Sequence, residues 1–165
     1  MKPLSSSKTF LVSIIATATT LSSSCAQQGG RRGMPPEARE QIHALFDDHA
    51  KIRRTVKLAA DGYSAVTESD DPMVAAALKK HVGQMQQRLE SGLGVRRWDP
   101  AFAEYSDHYS DLEHVFTATE KGVRMTVKGR TPAAVKAAQN HAKVLSAFVA
   151  HGWSEHDKQH PASSR

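Results

Sequence analysis

Apolar side chains recur along this chain at two spacings, one typical of helices and one typical of strands. Helical spacing occurs in residues 37–50 and in two longer segments that begin at Pro72 and Pro132. Between these segments lie two pairs of β-rich runs, which cover residues 52–60 and 63–68 in the first half and 115–120 and 123–127 in the second. The pattern predicts an α+β domain in which two β-hairpins alternate with helices.

A glycine-containing link joins the two runs of each predicted hairpin. Asp61-Gly62 is the link in the first hairpin, and Lys121-Gly122 is the link in the second. An Asp-Gly pair is a strong signal for a two-residue type I′ turn, which needs positive φ at both central positions. The sequence therefore predicts that Asp61 and Gly62 form the tip of the first hairpin.

The predicted helices begin and end at characteristic residues. Three helix starts combine an N-cap side chain with a proline at the first helical position: Asp71-Pro72, Asp99-Pro100 and Thr131-Pro132. Gly92 and Gly152 follow the two long helices, as C-cap glycines do. Each long helix has an apolar face that includes one histidine, His81 in the first helix and His141 in the second.

Four landmarks of the first half recur sixty residues later in the second half. They are Gly62, Pro72, His81 and Gly92, which return as Gly122, Pro132, His141 and Gly152. Such self-similarity is typical of a duplicated supersecondary unit. We therefore predict a single domain, residues 37–152, made of two tandem helix–hairpin–helix repeats (37–92 and 97–152) with pseudo-two-fold symmetry. Two long helices would cover one face of its four-stranded antiparallel sheet, and the exposed sheet edges would allow a homodimer to form.

The first 25 residues have the composition of an export signal. Lys2 and Lys8 precede the apolar run 9–21, which is shorter than the roughly 20 residues that a membrane-spanning helix needs. The segment ends at Cys25, and this ending resembles the lipobox of bacterial lipoproteins, in which the cysteine becomes the lipidated N-terminus. Ser22 stands where a leucine is usual, and ordinary cleavage after Ala26 is the alternative.

The segments that flank the predicted domain are short and polar. Residues 26–36 are rich in glycine, arginine and proline and predict a flexible tether, and residues 153–165 form a histidine-containing tail. The chain has 22 basic and 17 acidic residues, and removing residues 1–25 takes away two lysines and leaves a net charge of +3. So small an excess does not favour a nucleic-acid partner. The expected location is the periplasm or cell envelope, with a membrane anchor at lipidated Cys25 and an envelope protein as a candidate partner.

The two repeat-related histidines are the strongest candidates for chemistry. Met85 lies one helical turn after His81, so that His81, His141 and Met85 together offer two imidazoles and a thioether. Copper, zinc and a non-covalently bound haem iron accept ligands of these types. In the alternative interpretation, both histidines are structural and bond a carbonyl or carboxylate inside the core. Met85 is replaced by Leu145 in the second half, which suits core packing.

The other histidines form two groups. Those near the shorter helices are predicted to be surface residues: His43, His49, His108 and His114. In the tail, His156 and His160 would lie one turn apart if a helix resumed after Gly152, and they would then offer a surface site for a metal ion. The common nucleophile, phosphate-binding and zinc-protease motifs are absent from the sequence, which predicts a protein that is not an enzyme. A histidine acting as general base is the enzymatic alternative.

Several strings of the chain together resemble a family of small exported bacterial proteins of unknown function. They are TESDDP at 67–72, the stretch from His81 to Glu90, Trp98-Asp99-Pro100, Lys121-Gly122-Val123 and the His160-Pro161 tail. The resemblance implies export and a repeated domain, and it implies no activity. Our prediction is a non-enzymatic envelope lipoprotein that binds a metal ion or haem through His81 and His141. The alternative is a periplasmic interaction module with structural histidines and no cofactor.

Overall fold

The computed structural model describes residues 33–163 of the chain. The predicted export signal, its Cys25 and residues 26–32 of the predicted tether lie outside the described residues. The last two residues of the tail, 164–165, also lie outside them.

Five helices and four strands follow one another in the described part of the chain. The helices are α1 (Pro36–Asp47), α2 (Pro72–Glu90), α3 (Pro100–Asp107), α4 (Pro132–His151) and α5 (Trp153–His156). The strands are β1 (Ile52–Ala59), β2 (Gly62–Ser69), β3 (Leu112–Ala118) and β4 (Gly122–Gly129). A short 3-10 turn precedes β1 at His49–Lys51, and another precedes β3 at Tyr109–Asp111. The order of helix, 3-10 turn, hairpin and helix therefore occurs twice.

The strands form one open antiparallel sheet in the order β1-β2-β4-β3. The central strands β2 and β4 pair from Gly62–Lys128 to Glu68–Gly122. Their buried side chains, among them Tyr63 and Val127, alternate with more exposed ones, as in a sheet with one covered face. Helices α2 and α4 both pack across β2 and β4. The predicted α+β class and the four-stranded antiparallel sheet under two long helices are confirmed.

Small residues allow α4 to approach the sheet closely. Ala134, Ala138 and Ala142 are fully buried in one cluster with Tyr63 and Val127 of the central strands. Because an alanine side chain is a single methyl group, the helix backbone lies near the strands at these positions. This packing fixes the position of the helix face that also carries His141.

The predicted helix caps are confirmed. The Asp71 side chain accepts hydrogen bonds from the backbone N–H groups of Met73 and Val74 at the start of α2, at 2.9 and 3.4 Å. Gly92 has φ +70° just beyond the end of α2, and Gly152 has φ +54° at the end of α4. Both residues have a positive φ, which glycine adopts at lower cost than residues with a side chain.

The hairpins are confirmed, but the predicted type I′ turn is wrong. Ala59 pairs with Gly62, so the two residues at the tip are Ala60 and Asp61, and Gly62 already belongs to β2. Among residues 33–163, Arg96 alone combines a positive φ with a side chain, so Asp61 does not have the conformation that a type I′ turn requires.

Gly62 and Gly122 serve the contact between the two central strands instead. A Cβ at Gly62 would lie 1.9 Å from the carbonyl oxygen of Val127, and a Cβ at Gly122 would lie 2.1 Å from that of Thr67. Both distances are far below van der Waals contact. The glycines are therefore required by the close approach of β2 and β4.

Replacing Gly62 by alanine is expected to lower the free energy of unfolding by about 1–3 kcal/mol, because backbone atoms of β4 must move to admit the methyl group. Gly83 is the matched control, since it lies inside α2 and a Cβ there meets no atom within 4 Å. Gly83→Ala should stabilise the protein by about 0.5–1 kcal/mol through helix propensity. Urea unfolding of both variants checks the pair, and a Gly62→Ala variant as stable as the wild type would contradict the close-approach explanation.

Candidate functional site

A cavity of about 400 Å³ lies between the helix-covered face of the sheet and the helices above it. Its walls are mainly apolar and aromatic, with contributions from every helix from α1 to α5 and from all four strands. The volume falls within the range of pockets that hold small molecules and cofactors. This cavity is therefore the candidate functional site.

The three side chains that the sequence singled out line this cavity. His81 and Met85 reach it from α2, and His141 reaches it from α4. Since α2 and α4 lie on the same face of the sheet, their apolar faces both turn toward the cavity. The structure thus brings the histidines of both long helices and the neighbouring thioether to one cavity.

The His141 ring is packed between aromatic side chains. It stacks on Tyr105 with a centroid separation of 3.9 Å, and it meets the ring of Phe102 edge-on at 5.0 Å. The Nδ1 atoms of His141 and His81 are buried, and neither has a hydrogen-bond partner within residues 33–163. The structural interpretation expected a carbonyl or carboxylate partner for each ring, and these two nitrogens have none.

Burial keeps both imidazoles neutral at physiological pH. Loss of hydration lowers the pKa of His81 from 6.5 to about 4. Burial first, and then the positive charges of Arg54 and His114, lower the pKa of His141 to about 3. A neutral imidazole has a free lone pair on one nitrogen, and this is the form in which histidine binds metals.

Arg54 is a cavity residue that the sequence did not single out. It lies on β1, and its Nη1 donates a hydrogen bond of 2.6 Å to the Thr67 hydroxyl on the neighbouring strand. Its Nε and Nη2 atoms are buried and have no partner in the described part of the chain. The alternation of Ile52, Arg54 and Val56 on the covered face of β1 was the available signal, because an arginine at a core position of a strand is unusual.

His114 on β3 is a second polar residue of the cavity, although it was predicted to lie on the surface. Its Nε2 lies 2.6 Å from the Tyr105 hydroxyl. His43 and His49 line the cavity too, so the prediction of surface residues is wrong for all three. The His114 ring also stacks on Tyr109 at 4.6 Å. Arg54 and His114 are sixty residues apart, so both halves place a polar side chain at the same inward position of an edge strand.

Tail histidines His156 and His160 do not lie on one helix. Helix α5 ends at His156, and His160 lies in the extended segment beyond it. Nδ1 of His160 lies 2.7 Å from Asp99 Oδ2, and its Nε2 lies 2.9 Å from Glu155 Oε1. Both ring nitrogens of His160 therefore already have protein partners, and His156 faces Asp157 at 2.6 Å.

Residues 33–163 include no group of three or more His, Cys, Asp or Glu side chains arranged to hold a metal ion. None of their helices is both long and apolar enough to cross a bilayer. No protein-family model matches the chain, and neither curated proteins nor solved structures give a significant match. The resemblance to a family of small exported proteins stays an expectation, and the function has to be argued from the cavity itself.

Proposed function

We propose that this protein is a non-enzymatic protein of the cell envelope that binds haem in the cavity through His81 and His141. The observation behind this proposal is a pair of neutral imidazoles on the wall of a mainly apolar cavity, each with a buried nitrogen that has no partner among residues 33–163. Apolar and aromatic walls suit a flat macrocycle better than a bare ion, whose hydration they cannot replace. Imidazole is a usual ligand of haem iron, and His81 and His141 would supply it.

A copper ion is the second candidate, and Met85 favours it. A thioether is a soft ligand that suits Cu(I), and Met85 lies one turn from His81 on the same wall. If neither haem nor copper binds, the interaction module with structural histidines becomes the better interpretation.

We further propose that the two halves are repeats related by pseudo-two-fold symmetry, and the pairing register supports this. Gly62 pairs with Lys128 and Gly122 pairs with Glu68, so the two pairs exchange under a shift of sixty residues. Under this symmetry His81 and His141 occupy equivalent places on the two long helices. An anchor at lipidated Cys25, which rests on the sequence alone, would hold the domain at the membrane.

Binding can be tested on the exported protein, purified without a histidine tag and titrated with haemin and with Cu(I). We expect a Soret band of six-coordinate haem for the wild type and its loss in the His81→Ala/His141→Ala variant, because the iron loses both imidazoles. The His108→Ala/His151→Ala variant is the matched control, since these two residues do not line the cavity. It should bind as the wild type does. A wild type that takes up neither haemin nor copper would reject the proposal.

A further inference from the structure

We propose that the cavity binds an apolar molecule that bears a carboxylate, and that Arg54 is the residue that receives this group. The inference rests on the proposed function in taking the cavity as a ligand site. It does not require that His81 and His141 ligate a metal.

The free edge of the Arg54 side chain has the geometry of a carboxylate receptor. Nη1 is occupied by the Thr67 hydroxyl, while Nε and Nη2 are buried without a partner in residues 33–163. Nε and Nη2 form one side of the planar guanidinium and donate in parallel. Two parallel donors match the two oxygens of a carboxylate.

The Arg54 charge has no counter-ion among the described residues. No Asp or Glu oxygen of residues 33–163 forms an ion pair with the Arg54 guanidinium. The nearby Tyr63 hydroxyl stays protonated, because burial raises its pKa to about 12. His81 and His141 are neutral, as described above. An isolated charge in an apolar cavity carries a large desolvation penalty, which a ligand with one negative charge would offset.

Arg96 also lines the cavity, and contacts with protein groups hold its side chain in place. Its Nη1 donates to the carbonyl oxygen of His156 at 2.8 Å, and its Nη2 lies 3.5 Å from the Asp99 carboxylate. Its guanidinium also lies 4.2 Å above the ring of Trp98. Arg96 is thus paired with a carboxylate, whereas the partners of Arg54 among residues 33–163 are uncharged hydroxyl groups, those of Thr67 and Tyr63.

A ligand can reach the buried edge of Arg54 by a local side-chain movement. Met85 and Met125 line the same cavity, and the sulfur of Met125 lies 4.0 Å from the Tyr63 hydroxyl beside Arg54. Methionine is unbranched and changes rotamer at low cost, so this wall is the adaptable part of the cavity.

The probe pair that tests the inference is cis-parinaric acid, a fluorescent long-chain carboxylate, and its methyl ester. The two molecules share the apolar chain and differ in the charge. For the wild type we expect the acid to bind about ten- to a hundredfold more tightly than the ester, which is the range for a hydrogen bond to a charged group. Equal affinity for acid and ester, or binding of neither, would overturn the inference.

Three variants assign the preference to Arg54. Arg54→Gln should remove the preference for the acid, and Arg54→Lys should keep part of it, because lysine keeps the charge and loses the two-donor edge. Arg53→Gln is the matched control, since Arg53 is exposed and pairs with Asp70. It should bind as the wild type does. An Arg54→Gln variant that still prefers the acid as strongly as the wild type would overturn the assignment.

Two further measurements separate this inference from a folding defect and from the haem proposal. Arg54→Gln should unfold at the same urea concentration as the wild type or a higher one, because it removes a buried charge that has no counter-ion among residues 33–163. Clear destabilisation would show that Arg54 has a structural role and would overturn the inference. If the wild type binds cis-parinaric acid but not haemin, only the haem proposal is rejected. If it binds haemin but Arg54→Gln does not change the affinity for the acid, only this inference is rejected.

Discussion

Replacing Asp99 by alanine is expected to lower the free energy of unfolding by about 3–5 kcal/mol. This is the range for removing one partner of a buried charged pair, and the partner here is Arg96. Asp99 is completely buried. Its Oδ1 accepts hydrogen bonds from the backbone N–H groups of Ala101 and His160, both at 3.1 Å, and its Oδ2 faces the His160 ring. One carboxylate therefore caps α3 and also holds the C-terminal segment, and alanine would leave several buried donors without acceptors.

Asp107→Ala is the matched control for this prediction. Asp107 lies at the other end of α3, and its side chain is exposed and pairs with Arg97 on the surface. Because exposed ion pairs contribute little, we expect a change of about 0.5 kcal/mol or less. Thermal and urea unfolding of both variants give the comparison, with a decrease in Tm of about 10–20 °C expected for Asp99→Ala. If the two variants unfolded together, Asp99 would not hold the tail.

Acidification from pH 7 to pH 4.5 is expected to destabilise the protein markedly through His81 and His141. In the unfolded chain both imidazoles take up a proton near pH 6.5, whereas in the native protein burial lowers their pKa to about 4 and about 3. Below pH 6.5 the unfolded state therefore binds more protons than the native state, and stability falls as pH falls. Each histidine contributes a loss of up to about 1.4 kcal/mol per pH unit in this window.

The double variant His81→Gln/His141→Gln provides the test, because glutamine does not titrate. Its stability should change less between pH 6.5 and pH 4.5 than that of the wild type, as measured by urea unfolding at several pH values. His108→Gln/His151→Gln should keep the wild-type slope. The pKa of His114 is also lowered by burial and adds a contribution of the same sign, so the double variant should keep a small residual slope. An unchanged slope in the His81/His141 variant would show that other groups determine the acid sensitivity.

The secondary structure could be predicted closely because its signals are local. Asp71, Asp99 and Thr131 cap the helices that they were expected to cap, and the caps involve atoms only two or three residues apart. The turn at Asp61 was misplaced for the opposite reason. A glycine is needed at position 62 because the carbonyl oxygen of Val127, sixty-five residues away, lies too close for a Cβ. A local sequence motif does not contain information about such a contact.

The candidate site could be predicted in part. The helical period placed His81, Met85 and His141 on apolar faces, and these residues do line the cavity. Arg54 was missed because no local motif distinguishes it from its neighbour Arg53. In a strand, consecutive side chains point to opposite faces, and so Arg53 reaches solvent while Arg54 reaches the cavity.

The sequence by itself determined the class of the fold, the order of its long helices and hairpins, and which helix faces are apolar. Helix caps, periodicity and hairpin composition act over a few residues, and so they can be read along the chain. The tertiary structure alone decided that a cavity remains between the sheet and the helices and that Arg54 enters it without a counter-ion from residues 33–163. It also decided that His160 binds Asp99 instead of pairing with His156. Each of these depends on how segments far apart in sequence pack in space, and the shape that packing leaves is not encoded in any one segment.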